Sequence, residues 1–215
     1  MSNPTTPASI GPGEFFPVVG VGPHEKPWPE GAHYDPELLL NGDRRNVLDH
    51  YRYWTVEAIV ADLDSKRHKL QIAIENWQHD LNIGSVVRTA NAFNVSGVHI
   101  VGKRDWNKRG AMVTDRYLTV HHHPTVEDFA FWCKENELPI IGIDNVPGSK
   151  QLESAQLPEK CVLLFGQEGA GMSDEGIAVC EVLYEINQYG STRSMNASAA
   201  GAIAMYHWAL QHLPR

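Results

Sequence analysis

The sequence predicts an α/β protein with a mostly parallel sheet flanked by helices, and three observations carry that expectation. From residue 70 onward, short apolar runs alternate with segments whose apolar residues recur at helical spacing. Strands separated by helices need crossover connections, which make neighbouring strands parallel and cover both faces of the sheet. The chain of 215 residues is 42% hydrophobic and 20% charged, enough to bury one core of ordinary size.

Taken in order, residues 1–36 hold eight of the 13 prolines together with Gly11, Gly13, Gly20, Gly22 and Gly31. Proline fixes φ and lacks a backbone donor, so this stretch is expected to be an extended or disordered arm, docked by Phe15, Phe16, Trp28 and Tyr34. Residues 37–69 are expected to form a helical extension. Asp35-Pro36-Glu37 reads as a helix start that Asn41-Gly42 ends. Asp43 is expected to cap a second helix through Asn46, Val47 and His50 toward Trp54, and Thr55 to open a third. Residues 70–215 form the main domain, beginning with a strand at Leu70–Ile74.

Asn82 is the expected cap of a helix from Ile83 to Phe93, with Gly97 beyond its end. Val98–Val101 is the next strand. A helix from Thr125 to Asn136 places Val126, Phe129, Ala130 and Cys133 on one face. Strands follow at Pro139–Ile143, Cys161–Phe165 and Val182–Ile186, and a last helix runs from about Asn196 to Leu210.

Several function classes are excluded or disfavoured. No apolar run approaches the ~18 residues of a membrane helix. The opening MSNPTTPASI lacks the basic and apolar regions of a secretory signal, so a cytoplasmic location is expected. Cys133, Cys161 and Cys180 are too few and too scattered for a disulfide framework or a zinc ribbon, and Cys161 is expected in the core. His121-His122-His123 has no carboxylate or cysteine at matching spacing, so it reads as a solvated or partly buried run and no metal is expected. No G-x-S-x-G elbow occurs, which disfavours an α/β-hydrolase. The formal charge of −8 disfavours a general nucleic-acid coat. A local basic stretch remains, in which Lys103, Arg104, Lys108, Arg109 and Arg116 face only Asp105 and Asp115. Screening lets such a patch grip a polyanion despite an acidic body.

Three loops after strands hold the residues suited to chemistry. The first, Asn82-Ile83-Gly84-Ser85-Val86-Val87-Arg88-Thr89-Ala90, puts Arg88 four residues beyond Gly84 on one helix face; taken alone it also describes an exposed arginine in a surface ion pair. The second, Leu164-Phe165-Gly166-Gln167-Glu168-Gly169-Ala170-Gly171-Met172, allows close backbone approach by a ligand, or is simply a tight glycine turn. It fits neither the dinucleotide nor the P-loop pattern. The third runs from Ile186 through Gly190, Ser194 and Asn196 to Ala200, where Ser194 or Asn196 caps a small-residue helix alongside any binding role.

Together and in this order, these segments resemble the SpoU/TrmH branch of the SPOUT RNA methyltransferases. The family pattern is N-x-G-x-x-x-R-T-A, then L-x-x-G-x-E-x-x-G-(L/M), then I-P-M-x-G-x-x-x-S-L-N-x-S-x-A. The chain supplies Asn82, Gly84 and Arg88; Leu163, Gly166, Glu168, Gly171 and Met172; and Ile186, Gly190, Ser194, Asn196, Ser198 and Ala199. It departs at Asn187 and Gln188, where the family has Pro-Met, and at Met195, where the family has Leu. The likeness spans roughly residues 70 to 213.

The resemblance implies a C-terminal deep trefoil knot, S-adenosylmethionine as cofactor, methylation of a ribose 2′-OH in tRNA or rRNA, and a homodimer. Carried over residue by residue, it makes Arg88, Asn82, Glu168, Ser194 and Asn196 the catalytic group. It likewise makes Gly166, Ile186, Gly190, Ser194 and Met195 the cofactor-binding residues. A guanidinium with a pKa above ~12 resists deprotonation, so Arg88 is expected to anchor a phosphate and stabilise the nascent alkoxide rather than act as base. The basic stretch from Lys103 to Arg116 is expected to face RNA. The dimer is expected through the C-terminal helix, at Ala199, Ala200, Ala204, Trp208 and Leu210. The alternative is a non-catalytic knotted RNA-binding or adaptor protein, against which the joint presence of Arg88, Ser194 and Asn196 argues.

Overall fold

The computed structural model describes residues 20–77 and 82–214. The chain divides into two compact units, one ending at Ile59 and the other beginning at Val60.

In the N-terminal unit, helix α1 (Pro36–Asn41) begins where expected. Asp35 caps it by accepting from the N–H of Glu37 and Leu38, and the Gly42 N–H closes its end on the Leu38 carbonyl. Residues 1–19 of the proline-rich arm, with Phe15 and Phe16, lie outside the described residues. Residues 20–35 carry only isolated bridges, Val21 to Asp43 and Tyr34 to Trp54. Trp28 bonds the His24 carbonyl at 3.2 Å, and the Tyr53 hydroxyl bonds the Gly22 carbonyl at 2.7 Å.

Asp43 is not the helix cap that its sequence context suggests. Its buried carboxylate binds the Arg45 guanidinium at 2.9 and 2.7 Å and accepts from the Tyr53 N–H at 3.0 Å. Burial acts to raise its pKa, but the Arg45 and Tyr53 bonds outweigh burial and lower it to about 2. With its oxygens so used, the chain beyond makes only a 3₁₀ turn at Asp49–Tyr51. Helix α2 (Val56–Asp64) follows, and Thr55 bonds the Ala58 N–H at its start.

The second unit holds β1 (His68–Asn76), α3 (Ile83–Ala92), β2 (Val95–Gly102), β3 (Val120–His123), α4 (Val126–Glu135), β4 (Ile140–Ile143), β5 (Lys150–Gln151), β6 (Cys161–Phe165), α5 (Asp174–Ala178), β7 (Val182–Glu185) and α6 (Ala197–His212). The strands form one sheet in the order β3-β2-β1-β6-β4-β7-β5, and each neighbouring pair is parallel.

Strand alternation builds two cores, one on each face of this sheet. Leu70, Ile72 and Ile74 of β1, with Cys161, Leu163 and Phe165 of β6, pack with α3 and α6. Ala73, Val162 and Leu164 point the other way, with Phe129 and Cys133 of α4. Cys161 is a core residue as expected, and burial pushes its thiol up to about 12. Among the described residues, no helix is long and apolar enough to cross a membrane.

Strand β3 contains the histidine run. Register places His121 beside His99 and His123 beside Val101 on the sheet's outer edge. His99 is fully buried, with Nδ1 2.8 Å from His123 Nε2 and Nε2 2.6 Å from Gln71 Oε1. Burial, reinforced by the neighbouring histidines, pushes the His99 imidazole down to about 2.

Candidate functional site

In an open parallel sheet, ligands bind beyond the carboxyl ends of the strands. Such a cavity, of about 460 Å³, lies at the ends of β4, β6 and β7. That volume falls in the ~300–1,000 Å³ range of small-molecule sites. Its wall comes from three segments: Ile143 to Val146, Phe165 to Met172, and Ile186, Gln188 and Ser194 to Ala197, with Ala200.

The middle segment folds back on itself. Gln167 and Gly171 exchange backbone hydrogen bonds at 3.2 and 3.1 Å. A Cβ at Gly166 would lie 2.2 Å from the Gly171 carbonyl carbon and the Met172 nitrogen, so only glycine allows this closure. Beyond the loop, Ser173 caps α5 and bonds the buried Glu75 carboxylate through both its N–H, at 2.8 Å, and its hydroxyl. The third segment is tied across the cavity, since both Asn145 Nδ2 and Gln188 Nε2 donate to the Arg193 carbonyl.

Three residues from three separate motifs meet at this site. Asn82 Nδ2 donates to Glu168 Oε2, while Asn196 Nδ2 donates to Asn82 Oδ1 at 2.8 Å and to Glu168 Oε1 at 3.2 Å. Asn196 also caps α6, its Oδ1 accepting from the Ser198 N–H at 3.0 Å, so capping and clustering coexist in one side chain. The expectation for Asn82 needs correction. Its side chain bonds no N–H of α3, because the amide is spent on Glu168 and Asn196 instead.

Among the described residues, the wall carries two carboxylates, Asp144 and Glu168, and no lysine, arginine or histidine. Asn196 has both amide hydrogens bonded to protein oxygens, and Asn145 and Gln188 each commit one amide hydrogen to the Arg193 carbonyl. Gln167 is buried on this wall, and its Oε1 has no hydrogen-bond partner among the described residues. A cavity rich in acceptors and negative charge favours a cationic, donor-bearing ligand and disfavours a phosphate.

Of the residues expected to bind a cofactor, Gly166, Ile186, Ser194 and Met195 stand on the cavity wall, and Glu168 and Asn196 join them there. Gly190 does not, being exposed with open space around its Cβ direction. Arg88 is exposed on α3, off the cavity wall, and makes no hydrogen bond or ion pair among the described residues. The face it shares with Gly84 meets the basic loop. A Cβ on Gly84 would lie 2.7 Å from the Ala111 nitrogen and 2.8 Å from the Asn107 oxygen. Lys103, Arg104, Lys108, Arg109 and Arg116 are all exposed. Lys108 pairs with Asp115 at 3.0 Å, while the other four make no ion pair among the described residues. Sequence reasoning missed Asp144 and Asn145, since a lone Asp-Asn after a four-residue strand carries no pattern. Only the strand-end rule could have drawn attention to them.

Residues 69–206, well over half of the chain, match the profile of the SpoU rRNA Methylase family. The chain is 25% identical over 147 residues to a tRNA (guanosine(18)-2′-O)-methyltransferase of Borreliella burgdorferi, covering 67% of each protein. It is 25% identical over 169 residues to the Saccharomyces cerevisiae protein of the same name, covering 72% of this chain but 12% of that one. The SpoU methyltransferase AviRb from Streptomyces viridochromogenes, solved with AdoMet, superposes with a TM-score of 0.62 at 22% identity, over 71% of this chain and 61% of that one. The loops that form the Asn82–Glu168–Asn196 cluster fall within the matched residues, and the chain belongs to the SpoU rRNA Methylase family.

Proposed function

We propose that this protein transfers a methyl group from S-adenosylmethionine to a ribose 2′-OH of tRNA or rRNA. The observation that carries the reading is the junction of Asn82, Glu168 and Asn196 beside a cavity whose described wall has two carboxylates and no basic side chain. The cofactor fits that wall because its sulfonium and ammonium are cations and its sugar and base bring hydrogen-bond donors. Gly166, Ile186, Ser194 and Met195 would hold it. Bound there, S-adenosylmethionine supplies an electrophilic methyl group.

The chain's own residues do the rest. The 2′-oxygen must lie in line with the methyl, so positioning is the main task. The C–O bond forms as the C–S bond breaks, and the hydroxyl proton leaves to water or a neighbouring acceptor. Arg88 is exposed and has no ion pair among the described residues, and it would bind an RNA phosphate and the charge developing on the 2′-oxygen. Lys103, Arg104, Arg109 and Arg116, on and around the loop packed against Gly84, extend that positive surface for the RNA backbone.

The proposed assembly is a homodimer. The expected contact needs one revision, because Ala204 and Trp208 are core residues. The exposed face of α6 is instead Ala199, Ile203, Tyr206 and Leu210, a single stripe at helical spacing. The proposed knot has support in the segment after β7, which bonds residue 145 before α6 continues to His207, Trp208 and Gln211, bonded to residues 155–158. The test of the function is label transfer from methyl-labelled cofactor to bulk tRNA and rRNA, followed by nucleoside analysis. Label in 2′-O-methylribose is expected; label in bases alone, or none, would refute it.

A further inference from the structure

Asp144 stands at the carboxyl end of β4, outside the three family motifs, and its carboxylate borders the cavity. Both oxygens are held by backbone donors. Oδ2 accepts from the Met172 N–H at 2.7 Å, and Oδ1 accepts from the Asn145 N–H at 2.8 Å. The main chain is fastened as well: the Asp144 N–H donates to Tyr184 at 3.0 Å, and its carbonyl accepts from the Ser149 hydroxyl at 2.9 Å.

A carboxylate offers about four acceptor positions, so each oxygen keeps capacity for a further donor. Among the described residues no lysine, arginine or histidine forms an ion pair with it. Gly171 keeps the approach open, since a Cβ there would sit 3.0 Å from Oδ2. Nearby on the same wall, Oε1 of buried Gln167 is a second acceptor, with no donor among the described residues. Unmet acceptors of this kind cost free energy unless a ligand supplies donors.

We propose that Asp144 selects the cofactor's sugar by accepting both hydroxyls of its vicinal 2′,3′-diol. The inference rests on the cofactor reading above. A carboxylate oriented at both oxygens suits two adjacent hydroxyl donors, whereas an ammonium is a compact charge that needs no such orientation.

The test is calorimetric titration of the full chain, with no turnover required. The ligands are S-adenosylhomocysteine, 5′-methylthioadenosine, which keeps the diol but lacks the amino-acid end, and the 2′,3′-dideoxy form of the latter. Asp144→Ala is expected to weaken the first two by the same factor, roughly 10- to 100-fold. The dideoxy ligand should bind wild type and variant alike, which closes the cycle on the diol. Asp144→Asn keeps an oxygen for the Met172 N–H, and the same cycle should give a smaller loss in the same direction. A loss for S-adenosylhomocysteine alone would mean that Asp144 reads the amine, and would overturn the proposal. So would an equal loss for the dideoxy ligand. If wild type binds none of the three, the cofactor reading itself falls, and this proposal with it.

Discussion

Asn196 donates from its Nδ2 to Oδ1 of Asn82 at 2.8 Å, joining two residues 114 positions apart. The second hydrogen of the same amide reaches Glu168, which also takes the amide of Asn82. The start of α3, the loop after β6 and the start of α6 are thereby tied at the mouth of one cavity. None of the three links is local, so each depends on the sheet having formed.

Removing one corner should loosen the other two. Glu168→Ala removes the acceptor of one hydrogen from each asparagine amide, and the cluster is exposed enough for water to replace much of the loss. We expect methyl transfer to fall about tenfold or more while thermal stability changes little, read by single-turnover kinetics beside a melting curve. Full activity in Glu168→Ala would remove the cluster from the mechanism.

Arg88→Ala is expected to reduce single-turnover methylation by roughly 10²–10³, the effect of losing one preorganised charge-stabilising donor. Cofactor affinity should stay within about threefold, because Arg88 is off the cavity wall. Arg88→Lys should restore little, since an ammonium lacks the bidentate fork. Near-normal turnover in Arg88→Ala would reduce Arg88 to a surface residue.

Much of this arrangement was legible in the sequence. The strands at 70–74, 98–101 and 161–165 and helices α1, α3, α4 and α6 follow from apolar spacing and capping residues, and the motif residues do converge. Other features were not legible, for physical reasons. Strand β3 is written in histidines, whose place in the sheet is set by register with β2 and by the Gln71 and His123 partners of His99. Strand β5 has two residues and no periodicity to read. Asp43 and Asn82 both have cap-like sequence contexts, yet Arg45 and Tyr53 claim the first side chain and Glu168 and Asn196 the second. Asp144 gains its meaning only from the loops that β6 and β7 bring beside it.

The exposed stripe on α6 predicts association. Light scattering at micromolar concentration should give about twice the 24.0 kDa chain mass. Tyr206→Asp should shift it toward monomer with folding intact, since Tyr206 is 58% exposed. A wild-type monomer at that concentration would contradict the dimer.

Stability should fall with acid before the carboxylates titrate. His99 is pushed down to about 2, and His121 and His123 are also lowered, chiefly by burial. Asp128 acts in the opposite direction on His123. Below about pH 6.5 the unfolded chain takes up protons that the folded histidines refuse, so stability drops as pH falls. The slope is up to about 1.4 kcal/mol per pH unit per histidine. Urea unfolding at pH 7 and pH 5 should show the decline, with a flatter dependence in His99→Gln. Equal stability at the two pH values would contradict it.

The most direct test is a map of ribose 2′-O-methylation across tRNA and rRNA from cells with and without this gene, followed by treatment of the unmodified RNA with purified protein and S-adenosylmethionine. We expect a specific 2′-O-methyl mark to disappear with the gene, to return with wild-type protein, and to fail to return with Arg88→Ala. An unchanged map, or a mark restored equally by Arg88→Ala, would contradict it.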